Sequence, residues 1–224
     1  MKKNILTILI ILFFFPSKGK SYKNQYIGVN VFQLPASTIN MNYYSDYNPR
    51  FTSVVDFGFS LGYNEKFDFI GGLLTPHIIN FDNYLLKNQS GGYIKAGGYL
   101  NFRKGYNKFN FLHLGLFITN SIVYEEASYF SVDDTKLFPD EENIKHFVNI
   151  LGLNSSIGYD FEINSRLRSN VDFQFSIPSP NYLNLYGYSN FIPGMGFKDT
   201  DKMWFPMLIF NLKYQLDKER HLRE

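Results

Sequence analysis

Near the C-terminus the stretch FPMLIFNLKYQL, residues 205–216, sets Leu208, Phe210, Leu212, Tyr214 and Leu216 on one side of an extended chain and Ile209, Asn211, Lys213 and Gln215 on the other. That is a period of two, the period of a strand and not of a helix. One face suits hydrocarbon, and the other suits water or a polar interior.

The same arithmetic holds upstream. Val55, Phe57, Phe59, Leu61 and Tyr63 alternate with Asp56, Gly58, Ser60 and Gly62, and Ile94, Ala96, Leu100 and Phe102 oppose Tyr93, Lys95, Tyr99, Asn101 and Arg103. Leu112, Leu114, Leu116 and Ile118 oppose His113, Gly115, Phe117 and Thr119. Leu151, Leu153, Ile157, Tyr159 and Phe161 oppose small or polar residues from Gly152 to Asp160, and Val171, Phe173, Phe175 and Ile177 oppose Asn170, Asp172, Gln174 and Ser176. Two weaker blocks, Ser37 to Ser45 and Phe67 to Thr75, complete a set of eight. Short connections are expected at Asn64 to Lys66, Gly105 to Lys108 and Glu162 to Ser165. They alternate with a tight one at Asp46 to Arg50 and longer ones at Pro76 to Gly91, Glu125 to His146 and Pro178 to Trp204. Strict alternation predicts an all-β fold, an eight-stranded antiparallel up-and-down transmembrane β-barrel, with short turns and both chain ends on the inner side of the membrane. A secreted soluble β-domain is the competing architecture, but its water-facing strand faces call for Lys, Glu, Thr and Gln, where this chain repeats Leu, Phe, Ile and Tyr.

Composition agrees with the barrel. The 24 Phe, 17 Tyr and one Trp make 19% of 224 residues aromatic, yet after residue 15 no apolar run approaches the roughly 20 residues a membrane helix needs. The 22 Lys plus Arg nearly balance the 20 Asp plus Glu with no basic block, so nucleic acid is not an expected partner. Absence of cysteine removes disulfides, thiolate metal sites and a Cys nucleophile. At the N-terminus, Lys2 and Lys3 precede the apolar stretch Ile5 to Phe15, which Pro16 closes before Ser17, Gly19 and Ser21. A helix of that length spans only about 16 Å, so the segment reads as a cleaved export signal and not as an anchor. The expected organisation is a signal peptide over 1–21, a barrel over 22–216 and a charged tail over 217–224.

The segments QLPASTINMNYYSDYNPRFTSVVDFGFSLGY (33–63) and FPMLIFNLKYQL (205–216) resemble the small outer-membrane β-barrel proteins of Bacteroidota. The resemblance spans the mature chain in strand rhythm and rests on no catalytic signature. It implies residence in a bacterial outer membrane after signal-dependent export, contact with outer-membrane lipid, and insertion by the barrel-assembly machinery, which reads an apolar or aromatic final strand.

Strand parity points Asp56, Lys95, Arg103, His113, Asp160, Arg168, Asp172 and Lys213 inward. Charges of both signs inside a narrow barrel predict a packed network of ion pairs, with a polar channel or ligand site as the functional alternative. No cofactor or metal is expected: His77, His113, His146 and His221 stand at no ligand spacing. A lipid-modifying, deacylase-like enzyme is the rival function. It needs a His with a marked nucleophile, and the chain contains neither Gly-x-Ser-x-Gly nor His-x-Ser. The loop from Glu125 to His146, acidic from Glu125 to Glu142, reads as a solvated loop, with weak divalent-cation or partner binding as the alternative, and the aromatic segment 181–197 as a lid over the mouth, ahead of a girdle or a surface for an unidentified ligand or protein. The expected role is therefore non-enzymatic: envelope structure, surface interaction or accessory transport.

Overall fold

The computed structural model describes residues 24–34, 38–61, 84–103, 110–131, 140–185, 191–197 and 204–216. Among them are the strands β1 (Gln25–Asn30), β2 (Thr38–Asn48), β3 (Phe51–Ser60), β4 (Tyr84–Asn101), β5 (Phe111–Ser131), β6 (Asp140–Glu162), β7 (Leu167–Pro178), β8 (Phe191–Ile192), β9 (Gly196–Phe197) and β10 (Phe205–Gln215). Eight of these close into one barrel, in the order β1-β10-β7-β6-β5-β4-β3-β2. Every neighbouring pair is antiparallel, and all but the closing β1–β10 pair join strands consecutive around the up-and-down path. β8 and β9 pair only with each other.

The period of two determines which way each side chain points. Along β5, Leu112, Leu114, Leu116, Ile118 and Ile122 are 44–60% exposed, whereas His113, Thr119, Ser121, Val123 and Glu125 are no more than 1% exposed. β10 and β3 follow the same rule: Asn211 and Lys213 are buried against exposed Tyr214, and Asp56 and Ser60 against exposed Phe57 and Phe59. The apolar side is therefore the outer wall and the polar side the interior, the inverse of a water-soluble barrel. No helix among the described residues is long and apolar enough to cross a membrane.

The strand map corrects the sequence reading in three places. β1 is an addition to the expected blocks, and it closes the barrel by pairing Tyr26 with Gln215 on one side and with Tyr44 on the other. Counting it shifts the alternation by one, so the tight turn after Asn48 falls at the same end as the connections after Asn101 and Glu162, not at the end of the longer loops. The termini of β1 and β10 lie at that short-turn end. The block expected at 67–75 and the turn at 64–66 lie outside the described residues, as do the signal segment and the charged tail.

The second and third corrections concern the far end. The expected acidic loop Glu125 to His146 is mostly ladder: β5 and β6 stay paired from Phe111↔Asp160 out to Ser131↔Asp140. β7 stops at Pro178, opposite Gly152, so the ribbon of β4, β5 and β6 rises past its neighbours. The free edge of β6 there is covered by the segment after β7. Ser179 donates its N–H to the Leu151 carbonyl at 2.5 Å, and Asn181 donates Nδ2–H to the Asn149 carbonyl at 2.9 Å. The expected loop from Pro178 to Trp204 thus begins with an edge cover and a 3-10 turn, Pro180–Asn184, and continues into a hairpin that enters the barrel.

Candidate functional site: the barrel interior

All eight residues named from parity lie inside the barrel, none more than 6% exposed. They do not form one cluster. In the middle of the barrel Lys95 of β4 meets Asp56 of the adjacent β3 at 2.9 Å, in register. Asp56 also accepts from the Tyr93 hydroxyl at 3.1 Å and from Asn40 Nδ2 at 3.2 Å, and Lys95 reaches across to Gln174 Oε1 at 3.3 Å. Beside this group His113 of β5 contacts Asp172 of β7 at 2.5 Å, and Asp172 further accepts from Asn170 and from Tyr99 at 3.4 Å. Because β5 and β7 are separated by β6, this contact crosses the lumen face of Gly158, where a Cβ would lie 2.6 Å from His113 Nε2. Glycine at 158 is what lets the pair form.

Nearer the short-turn end, Arg103 donates to Asp46 at 2.9 Å and to the Pro49 carbonyl at 2.5 Å, which ties the tight turn after β2 to the end of β4. Lys213 pairs with Asp160, and its ammonium stands 4.7 Å from the Tyr44 ring. The Arg168 guanidinium lies 4.9 Å from the Tyr26 ring. The space left among Tyr26, Tyr44, Tyr99, Asp46, Asp160, Arg168 and Lys213 is a cavity of about 10 Å³, room for a single water. A buried charge is tolerated only with a partner, and Arg103 with Asp46 and Lys213 with Asp160 are such pairs.

The other end is closed differently. β8 and β9 form a hairpin whose turn is Ile192-Pro193-Gly194-Met195, with Met195 N–H donating to the Ile192 carbonyl at 3.0 Å and Gly194 at φ +76°. Proline then glycine at the two central positions, with positive φ at the second, is a type II turn. Its tip is pushed into the lumen: Phe191, Ile192 and Met195 are 0% exposed. Ser176 Oγ donates to the Met195 carbonyl at 2.5 Å, and Asn154 Nδ2 donates to the Gly194 carbonyl at 3.1 Å. Ile192 and Met195 pack with Val123, Val148, Ile150, Leu185 and Phe205 into an apolar stopper. At Gly194 a Cβ would stand 2.5 Å from the Tyr93 ring, so the hairpin rests directly on the Lys95–Asp56 layer.

Sequence reasoning missed Asp46, Glu125 and the hairpin's place inside the lumen. Asp46 shares the inward parity of Asn42 and Tyr44, but the run Asp-Tyr-Asn-Pro-Arg reads as turn. Glu125 continues the inward row of Ser121 and Val123; it is 0% exposed, accepts from Gln89 Nε2 at 3.3 Å and lies 3.7 Å from His146. His146, expected at a loop edge, is on β6. His77 and His221 are outside the described residues. Among the described residues no group of three or more His, Asp or Glu is arranged to hold a metal ion.

Fold and interior together define a class: a closed eight-stranded antiparallel barrel with an apolar outer wall and a lumen filled by ion pairs and a folded-in hairpin. No family model matches the sequence, and no curated protein matches it. Among solved structures the chain is similar to the crystal structure of neisserial surface protein A (NspA), at 9% identity and a TM-score of 0.41, over 86% of this chain and 94% of that one. A likeness this loose carries no argument, and the barrel stands on its own strand register.

Proposed function

We propose that this chain is a non-enzymatic integral outer-membrane barrel of a Gram-negative envelope, of the small kind found in Bacteroidota, exported by its N-terminal segment and inserted by the barrel-assembly machinery. The observation that carries the reading is the inversion of polarity: the outside of the barrel is Leu, Ile and Phe on strand after strand, while Asp, Lys, Arg and His are enclosed. Along β5 the outward apolar stripe runs from Leu112 to Tyr124, a rise of about 28 Å at a 45° tilt, which matches the height of a bilayer's hydrocarbon band.

Within that class, a structural or surface role is favoured over transport. Ion pairs fill the middle and short-turn layers and the hairpin fills the mouth, so among the described residues a solute meets no continuous path. The ribbon of β4, β5 and β6 that rises past the other strands offers the surface a partner would meet. The lipid-enzyme reading loses support because His113 is 1% exposed and held by Asp172, out of reach of a lipid ester. Fractionation tests the reading: recovery in the outer membrane with heat-modifiable gel migration is expected, and recovery in the soluble periplasm would refute it. In planar bilayers the purified protein is expected to give no stepwise conductance; steady single-channel events would turn the role to transport.

A further inference from the structure

Two polar atoms of the short-turn layer are left over from its ion pairs. The Tyr26 hydroxyl, on the closing strand β1, and Asp160 Oδ1, on β6, are buried and find no hydrogen-bond partner among the described residues. The other oxygen of Asp160 is the one that Lys213 takes. In the wall β1 and β6 are separated by β10 and β7, yet Tyr26 and Asp160 line the same cavity of about 10 Å³. The charged part of its lining is balanced, with Asp46 and Asp160 against Arg168 and Lys213.

We propose that this cavity is a binding site for one water molecule, which accepts a hydrogen bond from the Tyr26 hydroxyl and donates one to Asp160 Oδ1. Size, charge and chemistry agree on the occupant. About 10 Å³ is just the room one water needs, and it leaves none for a hydrated ion or an organic group. Two carboxylates and two cations sum to no net charge, so the lining calls for a neutral guest. A donor and an acceptor that both lack partners require a guest that accepts and donates at once, which water does and a simple ion does not. Lys213, with three N–H groups, lines the same space and offers a further donor. A water held in this way satisfies two buried groups, each of which otherwise carries its full desolvation penalty. It also gives β1 a second anchor. That strand has six residues and is held by its ladders to β2 and β10, whereas the water ties its inward Tyr26 to β6, two strands beyond β10.

Crystals of the purified protein grown from detergent test the site directly. A single solvent peak is expected at about 2.5–3.0 Å from both Tyr26 Oη and Asp160 Oδ1, with no anomalous signal there after a bromide soak. Tyr26→Phe removes only the hydroxyl, and the sign of its effect on stability discriminates. If a water takes up the hydroxyl's proton, the variant loses a satisfied donor, and the folded-to-unfolded ratio in a urea titration is expected to fall about two- to tenfold. If the hydroxyl has nothing to donate to, its removal relieves a buried polar group and leaves the ratio unchanged or raised. That second result overturns the proposal. So does a wild-type crystal with no solvent peak between the two atoms, with a direct Tyr26–Asp160 hydrogen bond, or with bromide at the site. Should Tyr26→Phe fail to fold, the wild-type crystal alone decides.

Discussion

Replacing Lys95 by Met isolates the central ion pair. The Lys95 and Asp56 side chains are 6% and 4% exposed and 2.9 Å apart, so neither charge is appreciably screened by solvent. Methionine keeps the length of the lysine stem beside the Phe117 ring, which the ammonium now faces at 5.6 Å, so the loss of packing is small. What remains is a buried carboxylate with only neutral donors to satisfy it: the Tyr93 hydroxyl, the Asn40 amide and the Asn42 amide turned to present its nitrogen. Removing one partner of a buried pair costs about 3–5 kcal/mol. The double variant Asp56→Asn with Lys95→Met removes the orphan charge as well, and its cost is expected to fall to about 1–2 kcal/mol, that of an imperfectly satisfied amide. Trp204, the single tryptophan, packs against Phe175 at 5.1 Å and reports unfolding by fluorescence in a urea titration from lipid vesicles. The midpoint is expected to move down in the single variant and back up in the double, at constant slope. A double variant no more stable than the single one would refute the claim that Asp56 needs its lysine.

Three further outcomes follow from other layers. Gly194→Ala places a Cβ against the Tyr93 ring at a residue with φ +76°, so the hairpin is expected to lift at a cost of about 1–3 kcal/mol. Met195, buried in the wild type, should then be oxidised by peroxide faster, as read by peptide mass mapping. His113→Ala leaves Asp172 with Tyr99 and Asn170 alone; the barrel should lose stability while envelope lipid acylation stays unchanged, and altered acylation would restore the enzyme reading. On the outer wall, Leu116→Arg in the middle of the band should cost about 2–4 kcal/mol in vesicles, and Phe147→Arg near the aromatic level about 0–1. Equal, small effects at both positions would indicate a wall that faces water.

Strand direction and facing were legible because a strand's side-chain period is set by backbone geometry alone. Once Leu208 to Leu216 is read as alternating, the side on which Lys213 falls is determined by counting. The same counting carries to Asp56, Lys95, His113 and Asp172 on four different strands. It failed where local composition opposed it. Glu125 and Glu126 sit among acids that favour solvent in isolation, and their place on β5 is held by the ladder to β6, beginning far away at Asp160. β1 has only six residues, too few for its alternation to stand out, yet closure depends on it because β2 and β10 would otherwise each have a bare edge.

By itself, then, the sequence determined the extended period, the antiparallel barrel class and the division of each strand into an apolar and a polar face, since all three follow from spacing along one chain; which eight strands close the barrel needed the ladder, because β1 is one of them. Only the tertiary structure decided which inward charges are partners. Lys95 meets its ladder neighbour Asp56, but His113 passes over Gly158 to Asp172, and Lys213 crosses to Asp160 on β6, two strands away. Such pairings depend on strand stagger, on the width of a closed lumen and on where glycines leave room. The hairpin's place inside the mouth is of the same kind. Phe191-Ile-Pro-Gly-Met reads as an aromatic loop until Val123, Val148 and Ile150, three inward residues of the rising ribbon, supply the apolar seat that buries it.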